Sequence, residues 1–203
     1  MEFTLTGADP RFLYLKRRLE ADGHCLVPDS PYIIAPPAAR TGVPYYTDPI
    51  YVLENAALTA EGAVELLMRR ADRPLTGMKI LVAGFGRIGS LLADKLASLG
   101  ARVTVAARSA ATRTAASIRG HNSVDINYIS EKYDAVLNTI PAPVLRGDLG
   151  GAICIDLASA PGGWVDDTPV IKAPGLPGIY APKAAADIMA EAIYRVMEVD
   201  IIE

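Results

Sequence analysis

Cysteine and histidine are nearly absent from this chain, with two of each among 203 residues. Two isolated cysteines cannot build a disulfide framework. Cys25 and Cys154 lie in apolar, strand-like segments and are expected to be reduced core residues of a cytoplasmic protein. His24 and His121 stand alone, without Cys, Asp or Glu clusters at ligand spacing, so no metal is expected. Basic blocks are also missing. The net charge is −3, and a nucleic-acid partner, which would need clustered cations for its phosphates, is not expected. No apolar run approaches the roughly 20 residues of a membrane span. The opening MEFTLTGADPR puts a charge and then a strand where a secretory leader needs a basic and then an apolar segment, so neither a leader nor a membrane role is expected.

What is present supports a substantial core: 51% of residues are hydrophobic, in a length that suits one large domain or two small ones. No repeat of fixed period and no low-complexity tract interrupts it. Residues 2–6 read as a strand. Asp9 is placed to cap a helix with Pro10 at its first position, and Gly23 ends that helix after about residue 22. Short strands at 24–27 and 32–35 lead into a Pro-rich loop at 36–50 that carries Tyr45, Tyr46 and Thr47. A helix is expected over about 59–70, and 72–77 form a linker.

From Met78 onward strands and helices alternate. Strands are expected at 78–83, 102–106, 124–126, 134–138, 152–157 and 170–172, with helices at 87–99 and near 110–119 and a helical turn at 128–132. This alternation predicts an α/β protein with a doubly wound parallel sheet. A last helix, about 183–199, has one apolar face through Ile188, Ala192, Ile193 and Val196. The expected organisation is a smaller N-terminal α/β domain with an interdomain helix (1–73), a Rossmann domain (74–181), and a C-terminal helix (182–203) packing back on the first domain beside a cleft.

The most informative stretch is Gly84-Phe85-Gly86-Arg87-Ile88-Gly89, which follows an apolar strand and opens an amphipathic helix. In G-x-G-x-x-G the first glycine makes the tight turn, the second lets a pyrophosphate reach the backbone, and the third allows close helix–strand packing. The helix N-terminus then meets the phosphates. About 20 residues on, where an NAD site presents an acid, the chain reads Ala107-Arg108-Ser109, with Arg113 one turn further. Arg108 can pair with a 2′-phosphate and Ser109 can hydrogen-bond it, so NADP is expected, with NAD the alternative.

Ligands of such a sheet lie beyond the carboxyl ends of its strands. Those ends read Asn138-Thr139-Ile140-Pro141, then Leu157-Ala158-Ser159 followed by Pro161-Gly162-Gly163, then Ala173-Pro174-Gly175-Leu176-Pro177-Gly178. Three Gly- and Pro-rich loops on one edge favour a nicotinamide and substrate site. Ser159 and Asn138 are candidates for the nicotinamide ribose or carboxamide. Asp156 reads as a structural acceptor, and Trp164 and Tyr180 as wall packing.

These motifs, together with Asp156-Leu-Ala-Ser159 and Ala181-Pro-Lys183, occur in the same order as in the dipicolinate synthase A-subunit family, and the chain resembles that family most strongly from Met78 onward. Upstream, Thr59-Ala60-Glu61-Gly62 is similar to the family's Thr-x-Glu-Gly, and Gly7-Ala8-Asp9-Pro10-Arg11 to its first βα turn. The segment over about residues 1–55 is shorter than the family's, as if one βα unit were missing near the Pro-rich loop. The resemblance implies oxidation of 4-hydroxy-tetrahydrodipicolinate to dipicolinate, the calcium-chelating acid of bacterial endospores, with hydride passing to a nicotinamide nucleotide. It also implies a partner, the flavoprotein-like B-subunit of the same synthase.

A cyclic dianion needs cationic partners. Lys183 is the first choice, with Arg11, Pro177 and Gly178 as further substrate contacts. The resemblance makes Glu61 the candidate acid or base and Thr59 a ligand of a substrate carboxylate or, alternatively, a helix cap. Arg87 faces phosphate or solvent. Two rivals remain. One is a 2-hydroxyacid dehydrogenase, although neither histidine lies on an expected loop. The other is a non-catalytic NADP-binding subunit. The oligomeric state stays open, a homodimer being compatible.

Overall fold

A computed structural model describes residues 1–147 and 149–202, the last five of these by backbone alone. The chain forms two compact units, one of residues 1–58 with 176–203 and one of residues 59–175. The first unit begins with β1 (Glu2–Leu5), α1 (Phe12–Ala21), β2 (Cys25–Leu26) and β3 (Ile33–Ile34). β1 pairs in parallel with both neighbours, giving a small sheet of order β2-β1-β3. Cys25 is exposed on an edge strand of two residues, which corrects its expected core position; Cys154 is buried. Gly23 closes α1 at φ +82°, a backbone geometry that glycine adopts without steric cost.

Two expected helix starts come out differently. Asp9 does not cap α1. Its carboxylate accepts the Arg11 N–H and holds the Arg11 guanidinium, and the helix begins beyond it at Phe12. The helix expected at 59–70 starts ten residues earlier, as α2 (Pro49–Arg70). Asp48 Oδ1 accepts the Tyr51 N–H at 2.7 Å, and proline fills the first helical position, where no N–H is needed. The Pro-rich loop before it contains two 3₁₀ turns, Pro37–Ala39 and Tyr45–Thr47, and buries Tyr45 completely.

The second unit carries β4 (Lys79–Ala83), α3 (Arg87–Ser98), β5 (Arg102–Ala106), α4 (Ala110–Ile118), β6 (Asn122–Val124), β7 (Ala135–Asn138), β8 (Ile153–Asp156) and β9 (Ile171–Lys172). All pairings are parallel, in the order β6-β5-β4-β7-β8-β9. This is the doubly wound sheet expected from the sequence. β6 ends two residues earlier than expected, and a 3₁₀ turn (Ile126–Tyr128) replaces the turn at 128–132. Central strands are fully covered: Ile80, Leu81, Val82, Ala83, Val136 and Leu137 have no exposed surface, as suits a parallel sheet with helices on its faces.

The chain returns to the first unit through α5 (Leu176–Tyr180), in a segment expected to be loop, and α6 (Pro182–Ile202). α6 lies against α1, so the C-terminal helix packs back as expected. Phe3, Leu15, Leu19, Ile34 and Tyr45 share one buried cluster with Met189, Ala190 and Ile193. Around it, Arg18 reaches Glu191 at 2.6 Å, the Tyr194 hydroxyl donates to Asp22 at 2.8 Å, and Arg195 donates to Asp48 at 2.8 Å.

Asp48 therefore joins the start of α2 to α6. Asp48→Ala should cost about 1 kcal/mol for the lost cap, read by urea unfolding. The Arg195 guanidinium holds the Asp48 carboxyl below its ordinary value. A depressed acid stabilises the fold above the unfolded-state pKa of about 3.9, and that contribution fades as pH falls through the folded-state value. The stability gap between wild type and Asp48→Asn should thus be full at neutral pH and shrink below about pH 4. A gap that is flat or grows with acid would contradict this.

Candidate nucleotide-binding edge

Parallel register brings six strand ends into one row. Val124, Ala106, Ala83, Asn138, Asp156 and Lys172 are successive lateral partners. The loops expected to bind cofactor therefore share the carboxyl edge of this sheet. From β4 the chain winds outward through β5 and β6, then returns to the other side of β4 with β7. Its switch point lies between β4 and β7, where open α/β sheets bind ligands.

The glycine turn sits at that point. Gly84 has φ +93°, and a Cβ there would lie 2.5 Å from Thr139 Oγ1. A Cβ on Gly89 would meet the Gly84 carbonyl oxygen at 2.3 Å, so α3 can lie this close only without a side chain. Thr139 Oγ1 donates to the Ala83 carbonyl at 2.8 Å, joining the β7 loop to the end of β4. Gly86 is different: it is exposed, and a Cβ there would meet nothing within 4 Å. Gly84 and Gly89 answer packing, while Gly86 leaves bare backbone open at the head of α3. That cradle fits a pyrophosphate, with the first N–H groups of the helix as donors. Phe85 turns aside, its ring edge-on to His121 and under the Arg119 guanidinium; Arg87 is exposed and Ile88 half-buried.

One strand over, Arg108 and Ser109 are exposed at the end of β5. Ser109 caps α4, its Oγ accepting weakly from Thr112 N at 3.5 Å. Arg113 is committed elsewhere. Its Nη1 donates to the carbonyls of Ala107 (2.9 Å) and Arg108 (2.7 Å) and to Asp125 Oδ2 (2.9 Å), so it shapes the turn that presents Arg108.

On the other side, Ile140 stands near the glycine turn, its Cγ1 2.9 Å from where a Gly84 Cβ would be; Pro141 and Ser159 are exposed and Ala158 half-buried. Leu157 is buried. Pro174 and Gly175 are exposed beyond β9. Asn138 has no exposed surface, and both ends of its amide are bonded, to Ile140 and Asp156. What this position offers a ligand is the loop it shapes. Asp156 is the structural acceptor expected, its carboxylate accepting from Asn138 Nδ2, Ala158 N and Gly163 N. Gly162 and Gly163 lie close against this pair, where a side chain would not fit.

The residues expected to meet substrate divide between the units: Thr59 and Glu61 belong to the second, and Arg11, Pro177, Gly178 and Lys183 to the first. Thr59 is buried in the middle of α2, so it caps no helix. Glu61 Oε1 accepts from Lys95 Nζ at 2.9 Å. Lys95 lies eight residues into α3, about 12 Å along its axis from Arg87, so the structure does not bring Glu61 to the glycine turn. In the other unit, Arg11 bonds Asp9 and donates to the Tyr51 hydroxyl at 2.9 Å. Burial opposes its charge, but Asp9 outweighs that and holds the guanidinium pKa above its ordinary value. Pro177 and Gly178 are buried, Gly178 facing the Arg11 stem. Lys183 is exposed on the first turn of α6, with no ion pair among the described residues. His121 does form a carboxylate pair, Nε2 to Asp94 Oδ1 at 2.8 Å, but its side chain is only 4% exposed and precedes β6. Among the described residues no group of three His, Cys, Asp or Glu could hold a metal, and no helix is long and apolar enough to cross a membrane.

Residues 55–144 match the family model for the D-isomer specific 2-hydroxyacid dehydrogenase, NAD binding domain. Over 178 residues the chain is 32% identical to the dipicolinate synthase A-subunit of Bacillus subtilis (strain 168), an alignment taking in 81% of this chain and 60% of that protein. The chain thus spans less than two thirds of this curated relative. The crystal structure of the dipicolinate synthase A-subunit from Bacillus halodurans superposes with a TM-score of 0.81 at 21% identity, covering 96% of this chain and 97% of that one. The corresponding crystal structure from Bacillus subtilis gives 0.70 at 27% identity, covering 99% and 66%.

Gly86→Ala separates the two kinds of glycine. The methyl group enters open space, and losing glycine's unfolded-state freedom should leave stability unchanged or raised by up to about 1 kcal/mol. Nicotinamide-nucleotide affinity should nevertheless fall by at least about tenfold, a loss of ~1.4 kcal/mol. Calorimetric melting and titration of one sample read both, and an unimpaired affinity would remove Gly86 from the phosphate cradle.

Proposed function

Because the chain belongs to the dipicolinate synthase A-subunit family, within the NAD-binding superfamily of the 2-hydroxyacid dehydrogenases, we propose that it oxidises 4-hydroxy-tetrahydrodipicolinate to dipicolinate, the acid of bacterial endospores. The ring loses water, then a hydride and a proton. A bound nicotinamide nucleotide supplies the hydride acceptor. The observation that carries this reading is the open Gly86 backbone at the switch point. Arg108, exposed and without an ion pair among the described residues, stands one strand away.

The chain's own residues have separable tasks. The head of α3 neutralises the pyrophosphate. Arg108, with no acid beside it on the turn, favours a 2′-phosphate and hence NADP over NAD. Lys183 is the cation assigned to a ring carboxylate, since Arg11 is already neutralised by Asp9. Glu61, paired with Lys95, reads as a structural ion pair rather than the proton acceptor. A B-subunit is the natural partner, since the named relative is one subunit of a synthase. A second reading, a nucleotide-binding subunit without chemistry of its own, draws on that commitment of Arg11 and Glu61 to internal pairs; it predicts NADP binding with no turnover.

Purified protein given fresh substrate and NADP, with and without the B-subunit, should form dipicolinate; none in either mixture sinks the enzyme reading. Lys183→Ala should lower kcat/KM by about 10–100-fold, the range for hydrogen bonds to charged groups. Glu61→Gln should keep near-wild-type rates if it is a surface ion pair, whereas a drop of roughly 10²–10⁴-fold would restore it as acid or base. Arg108→Ala should reduce the NADP-to-NAD affinity ratio at least about tenfold. An unchanged ratio would return Arg108 to the solvated surface.

A further inference from the structure

Strand order divides the carboxyl edge into two halves. The glycine turn ends β4, and Arg108 ends β5 on one side of it. A dinucleotide whose pyrophosphate meets the turn and whose adenosine lies toward Arg108 must carry its nicotinamide riboside across β7 and β8. The loops there, 139–141 and 157–163, are organised by two buried side chains, Asn138 and Asp156, which are lateral partners on neighbouring strands.

Each amide and carboxylate atom of the pair has a partner. Asn138 Nδ2 donates to Asp156 Oδ1 at 2.8 Å and to the Ile140 carbonyl at 2.9 Å, while its Oδ1 accepts the Ile140 N–H at 3.0 Å. Asp156 Oδ1 also accepts the Ala158 N–H at 3.1 Å, and Oδ2 accepts the Gly163 N–H at 2.9 Å. The Gly162-Gly163 turn is wrapped on these groups: a Cβ on Gly162 would lie 2.6 Å from Asp156 Oδ2, and one on Gly163 would lie 2.2 Å from Asn138 Nδ2. The Gly163 carbonyl then accepts the N–H groups of Val144 and Leu145, both at 2.8 Å, tying in the segment beyond β7. Removing one member leaves buried donors without acceptors, and both loops lose their common anchor.

We infer that Asn138 and Asp156 are a positioning pair that sets the nicotinamide half of the cofactor site, leaving the adenosine half to the glycine turn and Arg108. The inference rests on the nucleotide-binding reading of that turn. Neither side chain touches cofactor; they act through the 139–141 and 157–163 backbones.

Two probes separate the halves on the whole chain: NADPH, and adenosine 2′,5′-bisphosphate, which lacks the nicotinamide (NADH and 5′-AMP serve equally if NAD is preferred). Asp156→Asn should weaken NADPH at least tenfold and reduce the fluorescence gain of bound nicotinamide, while bisphosphate affinity stays within twofold. The exchange Asp156→Asn with Asn138→Asp should recover part of the loss, because an amide again faces a carboxylate. Equal weakening of both probes marks a merely structural pair and overturns the inference, as do two unchanged affinities or an exchange that recovers nothing. If Asp156→Asn does not fold, Gly162→Ala, which crowds Asp156 from the loop side, should give the same selective loss; its absence is equally decisive. A wild-type chain that binds neither probe would instead refute the nucleotide site itself.

Discussion

The nucleotide-binding unit depends on one close approach, that of α3 to the end of β4. A side chain at Gly89 would overlap the Gly84 carbonyl, so the helix can start where it does only because that position is bare. This contact fixes where the helix N-terminus points, and with it the N–H donors and partial positive charge available to an anion. Thr139 reinforces it from the far side of the switch point by bonding the Ala83 carbonyl. The same contact that closes the core therefore opens the cradle, and Gly86 can stay exposed because its neighbours carry the packing.

Several of the charged groups near the candidate sites are engaged internally. Arg11 is satisfied by Asp9 and Tyr51, Arg113 by Asp125 and two carbonyls, Glu61 by Lys95, and His121 by Asp94. Arg108 and Lys183, like Arg87, are exposed without an ion pair among the described residues. For anionic ligands this distinction matters more than proximity in sequence. A guanidinium already neutralised in a buried bidentate pair offers a second anion little net attraction, and freeing it leaves its carboxylate buried without a partner. An exposed cation carries no such cost.

The fold of residues 78–175 was legible in the sequence because each level agreed. Apolar runs, glycine punctuation and the 3.6-residue helical period all pointed to the same alternation. Where local signals competed, boundaries moved. Asp9-Pro10 and Asp48-Pro49 carry the same capping signature, yet only the second caps a helix, because an arginine two residues on claims the Asp9 carboxylate. The glycine turn was readable as well, since its place follows from the strand–helix alternation and from backbone geometry. The engagement of Arg113, Glu61 and Asn138 was not. Their partners lie 12, 34 and 18 residues away, and only tertiary structure brings them together.

That dependence on distant partners is strongest in the small unit. Its sheet has strands of four, two and two residues, too little pairing to stand alone. The deficit is made up by α6, which supplies Met189, Ala190 and Ile193 to the cluster around Phe3 and Leu15 and anchors Asp48 through Arg195. β1, α1 and α6 thus build one core, and the nucleotide-binding unit lies between them in sequence. The start of α6, where Lys183 stands, is accordingly held by the core of the small unit. The short β1–β3 sheet and α6 thus complete one another, Phe3 and Ile34 on one side of the cluster meeting Met189 and Ile193 on the other.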